Sequence, residues 1–144
     1  MKNEQSHPSG DMLLRTLAMP ADTNPSGDIF GGWIMSQMDM AGGILAKEVT
    51  QSRVVTVAVD SIHFIKPVHV GDVVCCYGQV IRVGTTSVTI HLEVWVKKGL
   101  HLASSRPGRF KVTQAAFTYV ALDENGNKRP ILTSLCPLPS VENK

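Results

Sequence analysis

The sequence predicts an α+β domain in which a five-stranded antiparallel sheet wraps around one long central helix. One stretch has its apolar residues at helical spacing and is apolar on every face. One short apolar segment precedes it, and four long segments with a hydrophobic period of two follow it. The connections between these segments are mostly short, which favours antiparallel pairing, and a helix that is apolar on every side needs a sheet curved around it.

The first strand is predicted at residues 12–19, and Pro20 ends it before a turn-rich segment. The helix is predicted from Gly32 to about Val49, because this stretch has no proline and no run of β-branched residues. Its helically spaced apolar residues are Ile34, Met38, Ala41 and Leu45. The other faces are apolar through Met35, Met40, Ile44 and Ala46. We therefore expect protein to enclose this helix.

Further strands are predicted at 53–65, 72–83, 87–97 and 110–122. The clearest is 87–97, in which valine, isoleucine and leucine alternate with polar or aromatic residues. We expect the aliphatic face to contact the core. The other face should meet solvent or a partner, and it carries Thr89, His91, Glu93, Trp95 and Lys97.

The chain of 144 residues is long enough for one domain with a sizeable core. Residues 1–10 predict a flexible N-terminus, and residues 11–126 hold all the predicted elements. Residues 127–144 contain three prolines and predict a loosely attached tail.

The composition is that of a globular protein, with 43% hydrophobic and 18% charged residues. A net charge of +2 is too small to indicate a nucleic-acid partner. The chain shows neither the apolar core of a secretion signal near its start nor a run long enough to span a membrane, so we expect a soluble, cytoplasmic protein. Its cysteines lack metal-site or disulfide spacing and predict reduced thiols at Cys75, Cys76 and Cys136.

One carboxylate, Asp39, lies between Met38 and Met40 in the middle of the apolar helix. Burying an ionised carboxylate costs several kcal/mol unless it is paired, hydrogen-bonded or neutralised. Two interpretations stay open on this basis. Asp39 is either a catalytic group or a structural carboxylate bonded to a nearby serine or backbone amide. Upstream, Asn24 and Asp28 are typical of residues that satisfy backbone amides in turns and caps.

The helix and its surroundings carry a more specific signal, in the segments NPSGDIFGGWIMSQMD, RVVTVAVDSIHFIKPVHVGDVVCCYGQV, GTTSV and EVWVKK. Together with the residues around them they span 13–98. This part of the chain closely resembles the YciA-type bacterial acyl-CoA thioesterases of the hotdog-fold superfamily. The resemblance continues more weakly through KVTQAAFTYVALDENG, whereas residues 99–109 and the tail lie outside it.

The resemblance implies a hotdog fold, dimers whose sheets join edge to edge, and usually a trimer of such dimers. It also implies hydrolysis of acyl-CoA to a free acid and CoA without a metal or another cofactor. The family's catalytic acid falls on Asp39 and its site asparagine on Asn24. Because the family's active sites lie at the dimer interface, Asn24 of one subunit would face Asp39 of the other.

Thioester chemistry suits these residues. A thiolate leaves readily, so one carboxylate can act as a general base toward water or attack the carbonyl directly to give an anhydride. Unpaired backbone amides at the helix start, near Gly31 and Gly32, can hold an oxyanion. Asn24 can contribute an amide donor or orient water.

The phosphates of CoA need cations, hydroxyls and free amides. Such groups are predicted at Lys66, Gly84, Thr85, Thr86, Ser87, Lys97 and Lys98. For each lysine, an ordinary solvated charge is the alternative. The methionines of the helix, Met35, Met38 and Met40, are predicted to fill the core, with an acyl tunnel as the second possibility.

Two functions follow. The leading prediction is an acyl-CoA thioesterase of broad acyl preference. The alternative is a non-catalytic acyl-CoA-binding or sensing module with the same fold, in which Asp39 is structural. An assay of thiol release separates them.

Overall fold

The computed structural model describes residues 6–98 and 108–132. In chain order the elements are β1 (Asp11–Leu17), a 3-10 turn (Pro20–Asp22), α1 (Gly31–Thr50), β2 (Arg53–Phe64), β3 (Val73–Val83), β4 (Ser87–Lys97) and β5 (Arg109–Leu122). The predicted helix and strands are confirmed in type and order, and their ends agree to within two residues. The 3-10 turn was not predicted and falls in the turn-rich segment after β1.

The strands form one sheet in the order β1-β3-β4-β5-β2, and every neighbouring pair is antiparallel. Helix α1 lies across one face and contacts all five strands. The core between them consists mainly of aliphatic side chains, with Phe117 and Tyr119 as its large aromatic members. The predicted α+β architecture is confirmed. Among the described residues, no helix combines the length and hydropathy that a bilayer crossing requires.

One side of α1 is open within the single chain. Met40 is 51% exposed and Ile44 is 43% exposed, and Phe30, which precedes the helix, is also exposed. The sheet stops at its edge strand β2, which leaves Val57 exposed beside this open side. The expectation that protein encloses the helix is therefore wrong for one chain, because the sheet is not wide enough to wrap it completely.

The face of β4 that points away from the core was expected to meet solvent or a partner, and the structure differs. Thr89, Glu93 and Trp95 are buried within the chain rather than presented to solvent or a partner. Glu93, 1% exposed, accepts hydrogen bonds from the Trp95 indole N–H (2.9 Å) and the backbone N–H of Ser9 (3.2 Å), and lies 2.8 Å from His91 Nε2. Neighbouring segments help to cover this face, since the Arg109 guanidinium on β5 lies 5.9 Å from the centre of the Trp95 ring and Ser9, before β1, contacts Glu93.

The first part of the predicted tail is attached to the domain. The N–H of Arg129 donates to the carbonyl of Ala121 (2.9 Å), and that of Ile131 donates to the carbonyl of Thr85 (2.8 Å). The Ile131 side chain is buried in the core. The expectation of loose attachment from residue 127 is therefore wrong as far as residue 132, because an apolar side chain anchors the segment; residues 133–144 lie outside the described residues.

Cys75 and Cys76 are free and buried, as predicted. Burial raises the pKa of the Cys76 thiol to about 12, so this side chain stays neutral and behaves as a small apolar group. Cys136 lies outside the described residues.

Candidate active site

Asp39 is held by two hydroxyl groups from the sheet. Thr56 Oγ1 donates to Asp39 Oδ1 (2.6 Å), and the Tyr119 hydroxyl lies 3.1 Å from both Oδ1 and the Asp39 backbone oxygen. Thr56 and Tyr119 are directly paired across β2 and β5, so the strand register brings both to the carboxylate. Among the described residues, Oδ2 has no hydrogen-bond partner. Asp39 is partly exposed, so this oxygen can meet a substrate or water.

The hydroxyl of Tyr119 is a donor at neutral pH. Burial raises its pKa above the ordinary value, and the charge of Asp39 and the hydrogen bond to it raise the pKa further. The hydrogen bond with Thr56 acts in the opposite direction and is the smallest of these effects. Tyr119 therefore stays protonated and stabilises a charged Asp39 side chain by donation.

Neither hydroxyl group was among the site residues expected from the sequence. The structural partner expected for Asp39 was a serine or a backbone amide. A signal was present. Thr56 shares its strand face with Val54, and Tyr119 shares its face with Phe117 and Ala121, so both put a hydroxyl group on a core-facing position. A buried hydroxyl requires a hydrogen-bond partner, and Asp39 is a polar group in the facing helix.

The start of α1 offers free backbone donors. The N–H groups of Trp33 and Ile34 donate to the carbonyl of Phe30 (3.1 and 3.3 Å), and no side chain caps the helix. Among the described residues, the N–H groups of Gly31 and Gly32 have no acceptor. Gly32 is exposed, and a Cβ at this position would meet no atom within 4 Å. A ligand can therefore approach this backbone closely.

Asn24 stabilises the turn before the helix. Its side-chain oxygen accepts hydrogen bonds from the N–H groups of Ser26 (2.9 Å) and Asp28 (3.1 Å), as the turn interpretation expected. Among the described residues, its Nδ2 group has no acceptor, and it makes no contact with Asp39 of the same chain. The amide donor is thus oriented by the turn and remains available.

A groove of about 360 Å³ lies at the same end of the helix. Its walls are Ile29, Gly31, Ile34, Phe64, Ile65, Lys66, Pro67 and Val68. The groove is mainly apolar and open to solvent, and it places one cation, that of Lys66, next to the free donors of the helix start.

The three predicted lysines divide between two places. Lys66 Nζ and Lys98 Nζ lie 5.0 and 5.8 Å from the centre of the Phe110 ring, so both are at one end of the sheet. Lys98 also forms a salt bridge with the buried carboxylate of Asp72 (3.2 Å). Lys97 projects from the opposite face of β4, directly across from Arg109 on β5. Among the described residues, Lys66 has no carboxylate partner.

The predicted phosphate-binding turn, residues 84–87, lies far from these lysines. It joins β3 to β4 where Val83 pairs with Val88, whereas Lys97 is at the other end of the hairpin. At the rise of an extended strand, the length of β4 puts the turn about 30 Å from Lys97. One chain therefore does not gather all seven predicted residues around a single phosphate group, because an antiparallel hairpin places its turn and its strand ends at opposite edges.

The helix methionines have different environments. Met38 is fully buried in the core, as predicted. Met40 is exposed in the single chain and Met35 is partly exposed, so neither is an ordinary core residue. For these two, contact with an acyl chain stays a prediction.

Comparison with known proteins points in one direction. Residues 26–103 match the family described as the thioesterase superfamily. The chain is 58% identical over 132 residues to the acyl-CoA thioester hydrolase YciA of Escherichia coli K12, and the match covers 91% of this chain and 98% of that protein. It also resembles HI0827, a hexameric broad specificity acyl-coenzyme A thioesterase, with a TM-score of 0.81, 61% identity, and coverage of 88% of this chain and 84% of that one.

A more distant similarity is to an acyl-CoA hydrolase of Staphylococcus aureus, at 25% identity and a TM-score of 0.74, covering 82% of this chain and 68% of that one. Its structures include one mutant in which an asparagine is replaced by alanine and another in which an aspartate is replaced. The two mutated positions are fifteen residues apart, which is also the separation of Asn24 and Asp39.

Proposed function

This chain belongs to the thioesterase superfamily, among the YciA-type acyl-CoA thioester hydrolases, and from that premise we propose that it hydrolyses acyl-CoA thioesters to free acid and CoA with a broad acyl preference. The observation that carries the proposal is the carboxylate of Asp39. One of its oxygens is fixed by two hydroxyl groups, and the other is unpaired among the described residues and accessible from the open side of α1. An accessible oxygen of this kind can act on a substrate, whereas a carboxylate with both oxygens bonded within the fold could not.

The complete site needs two chains. Gly32 and Asp39 are seven residues apart on one helix, about 10 Å along its axis, which is too far for both to act on one carbonyl group. A second copy resolves this by bringing the helix start of one chain to Asp39 of the other. Asn24 and Gly32 would then come from one subunit and Asp39 from its partner.

The surface supports this pairing. Exposed apolar side chains surround the open side of α1 and the free edge of β2, namely Phe30, Met40, Ile44, Val55, Val57, Val59, Phe64 and Ile65. A patch of this kind beside an unpaired strand edge is typical of an interface between copies of one chain. The proposed assembly is a trimer of such dimers, which the hexameric relative supports.

In the proposed reaction, Asp39 Oδ2 removes a proton from the water that attacks the thioester carbonyl, or attacks that carbonyl itself and forms an anhydride that water then hydrolyses. The N–H of Gly32 and the Nδ2 group of Asn24 donate to the negative charge that develops on the carbonyl oxygen. The carbon–sulfur bond breaks and CoA leaves as the thiolate. Both routes use the same residues.

The groove at the helix start can take the pantetheine arm of CoA, because it is open to solvent and Gly31 is part of its lining. Its apolar walls can pack against the methyl and methylene groups of the arm, and its open side leaves the amides hydrated. Lys66 then reaches the phosphates. Lys98 lies nearby, but its salt bridge with Asp72 holds it in the fold, so Lys66 is the better candidate. Residues 84–87 and Lys97 can contribute only to CoA bound by another subunit.

Replacement of Lys66 by alanine should raise the KM for acyl-CoA several-fold and leave kcat nearly unchanged. The phosphates lie far from the thioester, so their binding energy is the same in the ground and transition states. Steady-state kinetics at low and high salt measure this, and the effect should shrink as salt screens the exposed charge. The KM for an acyl-pantetheine substrate, which lacks the nucleotide, should be the same for the Lys66→Ala variant and the parent. A Lys128→Ala control should keep the parent KM for acyl-CoA. An equal loss with acyl-pantetheine would contradict this placement of the phosphates.

The function itself is tested by measuring free thiol release from a panel of acyl-CoA esters of increasing chain length. We expect turnover with several acyl lengths, because the flexible side chain of Met35 is partly exposed one helical turn from Asp39 and can adapt to different acyl chains. Saturable binding of acyl-CoA without thiol release by the intact oligomer would instead favour a sensing module.

A further inference from the structure

We infer that Tyr119 is a positioning residue for Asp39. We also infer that position 42 is a glycine because only a residue without a side chain leaves room for the Tyr119 hydroxyl to reach Asp39. The inference rests on the proposed function, since it assigns a role in the same reaction. Tyr119 does not touch the substrate. It acts by fixing which carboxylate oxygen the substrate meets.

The hydrogen-bond geometry supports this role. A carboxylate can rotate broadly about its last torsion, so an aspartate held by one hydrogen bond still exchanges its two oxygens. Here Oδ1 accepts from Thr56 and also lies 3.1 Å from the Tyr119 hydroxyl. That hydroxyl lies equally close to the Asp39 backbone oxygen, so it links the side chain to the helix itself. Oδ2 is then the oxygen that faces outward.

Tyr119 is itself held rigidly. Its side chain is 1% exposed, and its ring stacks with that of Phe117 at 6.4 Å between centroids. The ring cannot follow a moving carboxylate. A rigid donor fixes the position of the Asp39 carboxylate, whereas a mobile donor would stabilise its charge without fixing its position.

Gly42 lies three residues after Asp39, on the face of α1 that meets Tyr119. A Cβ atom built at Gly42 would overlap the Tyr119 hydroxyl oxygen and would lie 2.9 Å from Leu92 Cδ1, closer than real Cβ contacts allow. The helix has ordinary backbone angles at this position, so conformational freedom does not explain the glycine. Close approach of the hydroxyl explains it, and the glycine is kept although it lowers helix stability by about 1 kcal/mol relative to alanine.

Tyr119→Phe keeps the ring and removes the hydroxyl. We expect kcat to fall about tenfold to a hundredfold while KM stays within twofold, because a misplaced reacting group slows the chemical step without weakening ground-state binding. The chain provides a matched control, Tyr77→Phe, which makes the same chemical change on the outer face of the sheet and should leave kcat unchanged. A purely structural role would lower the melting temperature or raise KM and leave kcat intact.

A double-mutant cycle gives the sharper test. In an Asp39→Asn background, Tyr119→Phe should cause no further loss of residual kcat, because there is no carboxylate left to position. Gly42→Ala should reproduce the kcat loss of Tyr119→Phe, with the melting temperature of each variant measured alongside. If Gly42→Ala does not fold, the Tyr119→Phe series decides by itself.

The outcomes are distinguishable. A parent protein with turnover whose Tyr119→Phe variant keeps kcat within twofold overturns this inference and leaves the proposed function standing. The inference is also overturned if Tyr119→Phe lowers kcat in the Asp39→Asn background by the same factor as in the parent. The hydroxyl would then act on a group other than the Asp39 carboxylate. A parent protein without thioester turnover overturns both.

Discussion

Replacement of Asp39 by asparagine should lower kcat for acyl-CoA hydrolysis by about 10²–10⁴-fold, which is the contribution of a positioned general base. The amide has the size of the carboxylate, and its oxygen can still accept from Thr56 and Tyr119. The fold and the binding of acyl-CoA should therefore persist. What disappears is a group that can take a proton from water or attack a carbonyl.

The measurement is steady-state thiol release by the parent and the variant, with acyl-CoA affinity and melting temperature determined on the same samples. Asp11→Asn is a suitable control, since Asp11 is an exposed carboxylate on the other edge strand of the sheet. Hydrolysis by the Asp39→Asn protein within a few-fold of the parent rate would exclude Asp39 as the catalytic group. The sensing interpretation would then become the better one.

The fold could be predicted from the sequence because its signals are local. The period of α1 and the alternation in β4 are visible within a dozen residues. Whether other residues cover a helix or strand, in contrast, depends on segments that are distant in sequence. The outer face of β4 is covered in part by residues distant in sequence, such as Ser9 and Arg109, and α1 is open because β2 is an edge strand. Neither strand order nor such contacts follow from the pattern of any single strand.

The same distinction applies to the site. Asp39 and Asn24 were predicted from one continuous segment that resembles a known family, and Gly32 was predicted from the unpaired amides that any helix start offers. Thr56 and Tyr119 depend on the register of β2 against β5, which shifts just after Thr56, between Thr56 and Ala58. Sequence periodicity puts both hydroxyls on core-facing positions, but it does not give the pairing of Thr56 with Tyr119 that brings them to the same carboxylate. The separation of residues 84–87 from Lys97, by contrast, follows from the hairpin itself and could have been predicted.

The proposed arrangement of the site between two chains predicts complementation. Asn24→Asp should be inactive, because it keeps the side-chain oxygen that accepts from Ser26 and Asp28 but removes the Nδ2 donor. Loss of one oxyanion donor lowers kcat by about 10²–10³-fold. Asp39→Asn should be inactive for a different reason, because it removes the proposed base or nucleophile. Each variant keeps the residue that the other has lost.

Mixing equal amounts of Asn24→Asp and Asp39→Asn chains, under conditions that exchange subunits, should restore about a quarter of the parent activity. Random pairing makes half of the dimers mixed, and each mixed dimer contains one site with both native residues and one with neither. Isotope-labelled subunits followed by native mass spectrometry establish that exchange has occurred. If Asn24 and Asp39 act within one chain, no pairing creates an intact site, so proven exchange without recovered activity would refute the two-chain site. A protein that is monomeric in solution yet fully active would refute it as well, because the helix start and the carboxylate of one chain are too far apart to share a carbonyl group.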